Sequence, residues 1–411
     1  MRPRFVSAAC LVLLAGAVAA IVLSSPMGGD YPGPTCTGCD YAGPPIDALT
    51  HGDLHGFFAQ QPFMGAVSLA VRAPFAWLAR LGGGDALWQY RAGLIPCLLT
   101  LVLLAVALER RMRRERQPLL PRAVVVGLCI AGPMTFRTIG WGHPEELLGG
   151  ALCVAAVMAA TEERTVLAGL LLGAAIATKQ WALLAIPPTL LALPRARSQT
   201  TITALLAAGL LTLPMFLGDT ARFLAQTHAA GLAWGGETPT NIWWAFAHQT
   251  GVVMRATGPV PVYAIPHWLA TLSHPLAVLL AVAVSIRYWR DRAGRELHDA
   301  LELLALLFLI RCLFDPFTIS YHHAPFVIAL LSFEAIRRRG IPLVSLYAAL
   351  GLWSMSKFVA PALDPTLLYR AYLAWALPLL AYLVVSVLFP RRANLLATTL
   401  RLRGSLRPLA S

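Results

Sequence analysis

Long apolar runs separated by short arginine clusters recur along the whole chain, and this alternation constrains the fold more than any other feature. The run at 87–108 is followed by ERRMRRER, and the run at 368–388 is followed by a basic tail. An apolar helix of about 20 residues crosses the hydrocarbon core of a bilayer, and Lys and Arg collect on its cytoplasmic side. The sequence therefore predicts an all-α polytopic membrane protein.

Twelve runs are predicted to form spans, with both termini in the cytoplasm. The first run also resembles a signal peptide, although we favour an uncleaved helix. The fifth and sixth runs are shorter than a straight span requires, and we expect two short helices that meet below the outer membrane face. The runs are 5–24, 87–108, 123–140, 147–160, 166–178, 181–193, 202–217, 268–286, 301–313, 325–336, 341–355 and 368–388.

The charge of the chain follows from this topology. Only 13% of the residues are charged, about half the fraction usual in soluble domains. The net charge of +13 would suit nucleic acid, but the arginines stand between apolar runs, as orientation in a membrane requires. No nucleic-acid partner is expected. The expected partner is membrane lipid.

The whole chain, 1–411, is predicted to be one transmembrane domain with two long extracytoplasmic loops, 25–86 and 218–267, and a basic cytoplasmic tail, 390–411. In the first loop, arginines interrupt the apolar sequence QPFMGAVSLAVRAPFAWLARLG, which favours a helix lying in the interface plane. Cys36 and Cys39 share this loop. A redox pair or half a zinc site is possible there, but without a second Cys/His pair a local disulfide is favoured.

Polar residues collect at the predicted outer edge, where five segments carry the candidate chemistry. Each has a simpler interpretation: a lysine that reaches to the interface, glutamates that begin a helix, an aromatic belt, or histidines that cap a loop. Their position on one membrane face favours a site. The candidates are Asp30, Asp40, Asp47 and Asp53 in the first loop; Arg137, His143, Glu145 and Glu146 in FRTIGWGHPEELLGG; Lys179 and Gln180; Asn241 in TPTNIWWAFAHQTG; and Asp315, His322 and His323 in DPFTISYHHAP.

Lys179 is the most informative single residue. The chain has two lysines, the other being Lys357, among its 33 basic residues. An ammonium between two apolar runs is costly unless it pairs with an anion, so a phosphate or carboxylate partner is expected.

Several segments resemble, in order, the bacterial polyprenol-phosphate-mannose-dependent mannosyltransferases of the GT-C glycosyltransferase superfamily. The matching segments are GWGHPEELLGGAL, AGLLLGAAIATKQWALLAIPPTLLALPRAR, TNIWWAF and DPFTISYHHAPFVIALL. The resemblance implies a GT-C-like bundle of about twelve transmembrane helices in the bacterial plasma membrane, with interfacial helices in the first outer loop. It also implies a polyprenyl-phosphate-sugar donor and a lipid or glycan acceptor.

The resemblance further implies an acidic catalytic base in the first outer loop. Its spacing ahead of a glycine fits Asp40, before Gly52, best, with Asp47 second and Asp30 third. An alternative makes His322 or His323 the base and the aspartate its orienting partner.

The chemistry requires a base for the acceptor hydroxyl and a cation for the departing phosphate. Lys179 is expected to bind the donor phosphate, with Gln180, Arg137, His143 and a histidine of the last segment assisting. Because the leaving group stays charged in the membrane, neither a metal nor another cofactor is required. We expect the acid and the lysine at opposite ends of one lipid-accessible hollow.

A transporter or lipid flippase is the competing hypothesis, since it also explains many helices and buried charges. Transporters carry their sites near the bilayer midplane between repeated halves, whereas this chain shows no convincing repeat and concentrates its polar groups near one edge. A glycosyltransferase of a hexose, with mannose favoured, is therefore the preferred interpretation. Neither the sugar nor the acceptor is identified by the sequence.

Overall fold

The computed structural model describes residues 3–31, 40–62, 64–230, 238–255, 258–291, 296–338, 340–360 and 363–389. Within these residues the chain is mostly helical, and each of the twelve apolar runs lies largely on helix. Cys36, Cys39 and the tail 390–411 fall outside the described residues, so the expected disulfide stays a prediction.

Seventeen α-helices and two strands are described. The helices are α1 (Pro3–Ser24), α2 (Gly43–Thr50), α3 (Leu54–Ala59), α4 (Ala66–Leu81), α5 (Ala86–Arg114), α6 (Leu119–Ala131), α7 (Pro133–Trp141), α8 (Glu145–Thr161), α9 (Thr165–Thr178), α10 (Ile186–Leu191), α11 (Arg197–Gly218), α12 (Thr220–Ala230), α13 (His267–Arg290), α14 (Ala300–Phe314), α15 (Ala324–Arg337), α16 (Leu343–Ser354) and α17 (Pro365–Leu388). The strands are β1 (His248–Arg255) and β2 (Gly258–Ala264), and short 3-10 turns occupy Gln180–Ala185, Ile242–Phe246, Leu297–Asp299 and Ser320–His323.

Five segments of the described chain are long and apolar enough to cross a membrane. They are Ala86–Arg114, Leu119–Trp141, Arg197–Gly218, His267–Arg290 and Pro365–Leu388. The other apolar helices are shorter, so a membrane protein is supported whereas twelve full spans are not confirmed. Four leucines of α11 have more than half of their surface exposed, as in a helix that faces lipid: Leu205, Leu206, Leu210 and Leu217.

Two helices form the centre of the bundle. Almost every residue of α14 and α15 is buried, and the two helices pack against each other. Helix α9 packs against α8 on one side and α11 on the other. Gly169 and Gly173 let α11 approach closely, since a Cβ at either position would lie 2.6 Å from an α11 atom. These contacts fix the end of α9 beside the start of α8.

The first predicted outer loop is itself helical. The predicted interfacial helix is present as α4, which packs along α5, and it is preceded by the short helices α2 and α3. Arg72 does not lie on a solvated face of α4 as an interfacial helix suggests, because its side chain is fully buried.

The second predicted outer loop contains regular structure that the apolar pattern did not indicate. It includes helix α12 and an antiparallel hairpin in which His248 of β1 pairs with Ala264 of β2. Valines supply the β propensity, and Pro259 and Pro261 occur on a strand that, among the described residues, pairs with one other strand. The all-α expectation therefore holds for the bundle but misses this hairpin.

Candidate active site

Lys179 lies where α9 breaks before the turn at Gln180–Ala185. Its backbone is extended (φ −153°, ψ 134°), so the side chain leaves the helix axis instead of continuing the apolar surface of α9. The residue is only 6% exposed. Its Nζ forms an ion pair with Asp40 Oδ2 and lies 3.4 Å from Glu145 Oε1 and 3.8 Å from Glu146 Oε1. An anionic partner for this lysine was expected, and three carboxylates provide it.

Asp40 is held in place by the backbone of the first loop. Its second oxygen, Oδ1, accepts a hydrogen bond of 2.7 Å from the backbone N–H of Met64. The next residue, Gly65, donates its N–H to the carbonyl of Thr178 at 2.8 Å, which ties this loop to the residue before Lys179. The expectation that acid and lysine stand at opposite ends of a hollow is wrong. The two charges make direct contact.

The turn between α7 and α8 supplies the next group of charges. Gly142 ends α7 in the left-handed conformation (φ +96°), which glycine adopts without strain, and His143 follows it. Glu145 and Glu146 form the first turn of α8, where the helix dipole stabilises negative charge, and both are almost completely buried.

His143 is bracketed by carboxylates on both ring nitrogens. Nδ1 lies 2.8 Å from Glu145 Oε1 and 3.7 Å from Asp40 Oδ2, while Nε2 lies 3.1 Å from Asp30 Oδ2. Burial alone lowers the pKa of His143, but Glu145, Asp30 and Asp40 outweigh it and raise the pKa to about 9. The ring also stacks on Tyr321 at 4.4 Å. His143 is therefore an imidazolium at neutral pH.

The same carboxylates hold the charge of Lys179. Burial lowers the pKa of its ammonium, but the three acidic neighbours outweigh burial and keep that pKa above its usual value. Lys179 is therefore a permanent cation in this environment.

Two arginines complete the cluster, and sequence reasoning assigned a role to neither. Arg72 Nη1 lies 3.4 Å from Glu145 Oε2, and neither side chain is exposed. Arg311, near the end of α14, lies 3.7 Å from Glu146 Oε2 and over the ring of Trp181. A charged residue inside the apolar run 301–313 was the available signal for Arg311. No such signal in the sequence distinguished Arg72, since arginines are ordinary in interfacial helices.

The charge cluster of the described residues is balanced. Four carboxylates face four cations when His143 is protonated. The carboxylates belong to Asp30, Asp40, Glu145 and Glu146, and the cations to Arg72, His143, Lys179 and Arg311. An anion that binds here therefore has to replace one of these carboxylates as the partner of a cation. Otherwise it has to bring a proton that neutralises the added charge.

Of the two histidines in the segment DPFTISYHHAP, only His322 lies near the cluster. Desolvation by burial, followed by Arg311, holds the pKa of His322 well below its usual value, so the ring is neutral. Its Nδ1 accepts a hydrogen bond from the N–H of Ile319, which leaves the proton on Nε2. His323 instead meets the hydroxyl of Tyr372 at 3.0 Å and is fully buried against α17. Burial lowers its pKa to about 3.

The remaining candidates lie around the cluster and not in it. Arg137 donates to Ser320 Oγ at 2.8 Å and stacks on Trp141, beside the turn that carries His322. Gln180 is exposed. Asp47 has a side chain that is 60% exposed and pairs with His51. Asp315 lies 3.7 Å from His274.

Asn241 shapes the second outer loop. Its Oδ1 accepts hydrogen bonds from the N–H groups of Trp243 and Trp244, and its Nδ2 donates to the carbonyl of Pro316 at 2.7 Å. It joins this loop to the segment after α14, and its role as a site residue stays a prediction.

One comparison with known proteins indicates a transferase. The family model described as glycosyltransferase family 87 matches residues 65–316. No curated protein matches the chain. The matched residues include Arg72, His143, Lys179 and Arg311, whereas Asp30 and Asp40 precede them.

Proposed function

Because this chain belongs to glycosyltransferase family 87, we propose that it transfers a hexose, with mannose favoured, from a polyprenyl-phosphate donor to a lipid or glycan acceptor. The reaction takes place at the outer face of the bacterial plasma membrane, in the cluster around Lys179. Both termini then lie in the cytoplasm.

The observation that supports this proposal most strongly is the pair formed by Lys179 and Asp40. A cation for a phosphate and a carboxylate for a hydroxyl proton are the two groups that such a transfer requires. Both are held by a bundle of apolar helices, which suits a donor whose lipid chain stays in the membrane. The two residues are 139 positions apart in the chain, so their contact is produced by the fold.

The ion pair implies an exchange when the donor binds. The donor phosphate takes Lys179 from Asp40, and the freed carboxylate turns to the acceptor. Asp40 then accepts the acceptor hydroxyl proton while the acceptor oxygen bonds to the anomeric carbon. The bond from that carbon to the phosphate oxygen breaks, and its electron pair stays on the phosphate beside Lys179. A single displacement of this kind inverts the anomeric configuration.

Arg311 and His322 are suited to share the phosphate. Arg311 lies near one oxygen of Glu146 while Lys179 lies near the other, and Arg311 donates to the carbonyl of His322 at 3.2 Å. Neutral His322 has an Nε2–H available as a donor. Guanidinium, ammonium and imidazole donors together stabilise a phosphate as its negative charge grows.

His143 is unsuited to be the base, since both of its ring nitrogens already face carboxylates. As a cation it instead offsets the negative charge of Asp30, Asp40 and Glu145. This arrangement favours Asp40 as the base, and it leaves His322 as the histidine alternative.

The test is to incubate membranes containing the protein with a panel of radiolabelled polyprenyl-phosphate sugars, and to extract the labelled product. We expect one donor, with mannose first in the panel, to label a lipid or glycan. Membranes with Lys179→Met, at matched protein level, are expected to give no label. The absence of transfer from every donor, together with solute flux that depends on Lys179, contradicts the proposal and supports a transporter.

A further inference from the structure

The cluster contains a set of atoms with the spacing of a metal site. Asp40, His143 and Glu145 each offer one ligand atom, and these atoms lie within 4.8 Å of one another. Carboxylate oxygens and imidazole nitrogen are common ligands of Zn²⁺ and Mn²⁺. An acidic cluster alone does not establish a site, so the position of the neighbouring cations decides what this one holds.

Lys179 pairs with two of the three groups that have the spacing of metal ligands. Its Nζ contacts Asp40 Oδ2 and lies 3.4 Å from Glu145 Oε1. The same two oxygens face His143 Nδ1, at 3.7 Å and 2.8 Å. The Lys179 ammonium and the His143 ring therefore both face the two oxygens on which a divalent ion depends. The site carries its own cation, supplied by the chain.

We propose that Lys179 replaces a divalent metal ion at this site, and that removing its ammonium turns the site into one that binds Mn²⁺. The native protein then transfers sugar without a divalent metal. The statement about transfer rests on the proposed function, whereas the statement about metal binding does not.

The physical reason is charge balance. Without Lys179, the buried carboxylates of Glu145 and Glu146 and the partly buried carboxylate of Asp40 lose their shared cation, and an uncompensated buried charge is strongly unfavourable. A divalent ion restores the balance and finds oxygens at suitable spacing. With Lys179 present, the same ion has to displace an ammonium that three carboxylates hold.

The chain offers a matched control, because Lys357 is its other lysine. Lys357 lies exposed near the end of α16, and the described structure gives it no part in the cluster. Lys357→Ala removes the same group from elsewhere in the molecule.

The experiment is a Mn²⁺ titration followed by electron paramagnetic resonance, on purified full-length protein in detergent. We expect no stoichiometric Mn²⁺ binding at millimolar concentration by the wild type or Lys357→Ala. Lys179→Ala should bind one ion at least about 100-fold more tightly than the wild type does. Adding Asp40→Asn to Lys179→Ala should abolish that binding. Lys179→Gln, which keeps the volume and supplies a carbonyl ligand, repeats the test if the alanine variant does not fold.

Stoichiometric Mn²⁺ binding by the wild type that disappears in Asp40→Asn overturns the proposal. So does a folded Lys179→Ala or Lys179→Gln that binds no Mn²⁺. In transfer assays, EDTA should leave wild-type activity unchanged, and Mn²⁺ should restore part of the activity of Lys179→Ala. If no donor supports transfer at all, the proposed function fails, while the Mn²⁺ titration still decides the metal proposal.

Discussion

Arg72 on α4 and Glu145 at the first residue of α8 form an ion pair in which neither side chain has any exposed surface. Arg72 Nε and Nη2 have no hydrogen-bond partner, so Glu145 is the main compensation for this buried guanidinium among the described residues. The pair joins the helix of the first loop to the helix that carries both glutamates. It therefore fixes the position of Glu145 relative to Lys179.

Breaking this pair is expected to destabilise the protein. Arg72→Met keeps the length of the side chain but leaves Glu145 with one cation fewer, which costs about 3–5 kcal/mol for a buried pair. A thermal unfolding scan in detergent should show a clear fall in midpoint. Arg80→Met on the same helix is the control, since Arg80 lies outside the cluster and should change the midpoint little. Equal shifts in the two variants would contradict a specific role for the pair.

The protonation of His143 makes stability depend on pH. Its pKa is raised to about 9 in the folded protein, above the value of about 6.5 in an unfolded chain. Its contribution is therefore fully present below pH 6.5 and is lost as the pH rises through 9. The shift corresponds to about 2–4 kcal/mol.

The measurement compares the wild type with His143→Gln in unfolding scans between pH 6 and pH 10. We expect the wild type to be more stable than His143→Gln at pH 6. This difference in stability should shrink as the pH rises towards 10. A difference that is constant over this range would show that His143 does not titrate as its carboxylate neighbours require.

Adding one methyl group at Gly65 should separate the first loop from Lys179. A Cβ at this residue would lie 2.0 Å from the carbonyl oxygen of Ala177. The Gly65 N–H bonds to Thr178, so the loop cannot move without losing this contact. Gly65→Ala is expected to displace Asp40 from Lys179 and to lower transfer activity at least about tenfold.

Gly209→Ala is the matched control for this change. A Cβ at Gly209, within α11, meets nothing within 4 Å. Alanine also favours a helix by about 1 kcal/mol over glycine, so this variant should be as active as the wild type and no less stable. Full activity in Gly65→Ala would show that contact between the first loop and α9 is not needed.

Much of this arrangement could be inferred from the sequence because polar residues are conspicuous in an apolar chain. Lys179, His143, Glu145 and Asp40 were all named as candidates, and they converge in one cluster. An ionisable group is costly in apolar surroundings, so its presence indicates a partner or a function. The functional roles assigned to these residues stay predictions.

The rest depended on information that periodicity does not carry. Which aspartate reaches Lys179 is decided by how loops fold back, and spacing alone left Asp30, Asp40 and Asp47 open. The burial of Arg72 depends on α5 packing along α4 and on Glu145 at the start of α8, which an amphipathic pattern does not show. His322 and His323 are neighbours in sequence, yet a turn sends one towards Arg311 and the other against Tyr372.

The most direct test of the account compares sugar transfer by Asp40→Asn and Asp47→Asn, in membranes with equal amounts of protein and the donor identified by the panel. Both substitutions remove one carboxylate from the same loop, but Asp40 contacts Lys179 whereas Asp47 is exposed. The account expects Asp40→Asn to lose about 100-fold or more of the transfer rate, with Asp47→Asn close to the wild type. Normal transfer by Asp40→Asn, or its loss in Asp47→Asn alone, would contradict it.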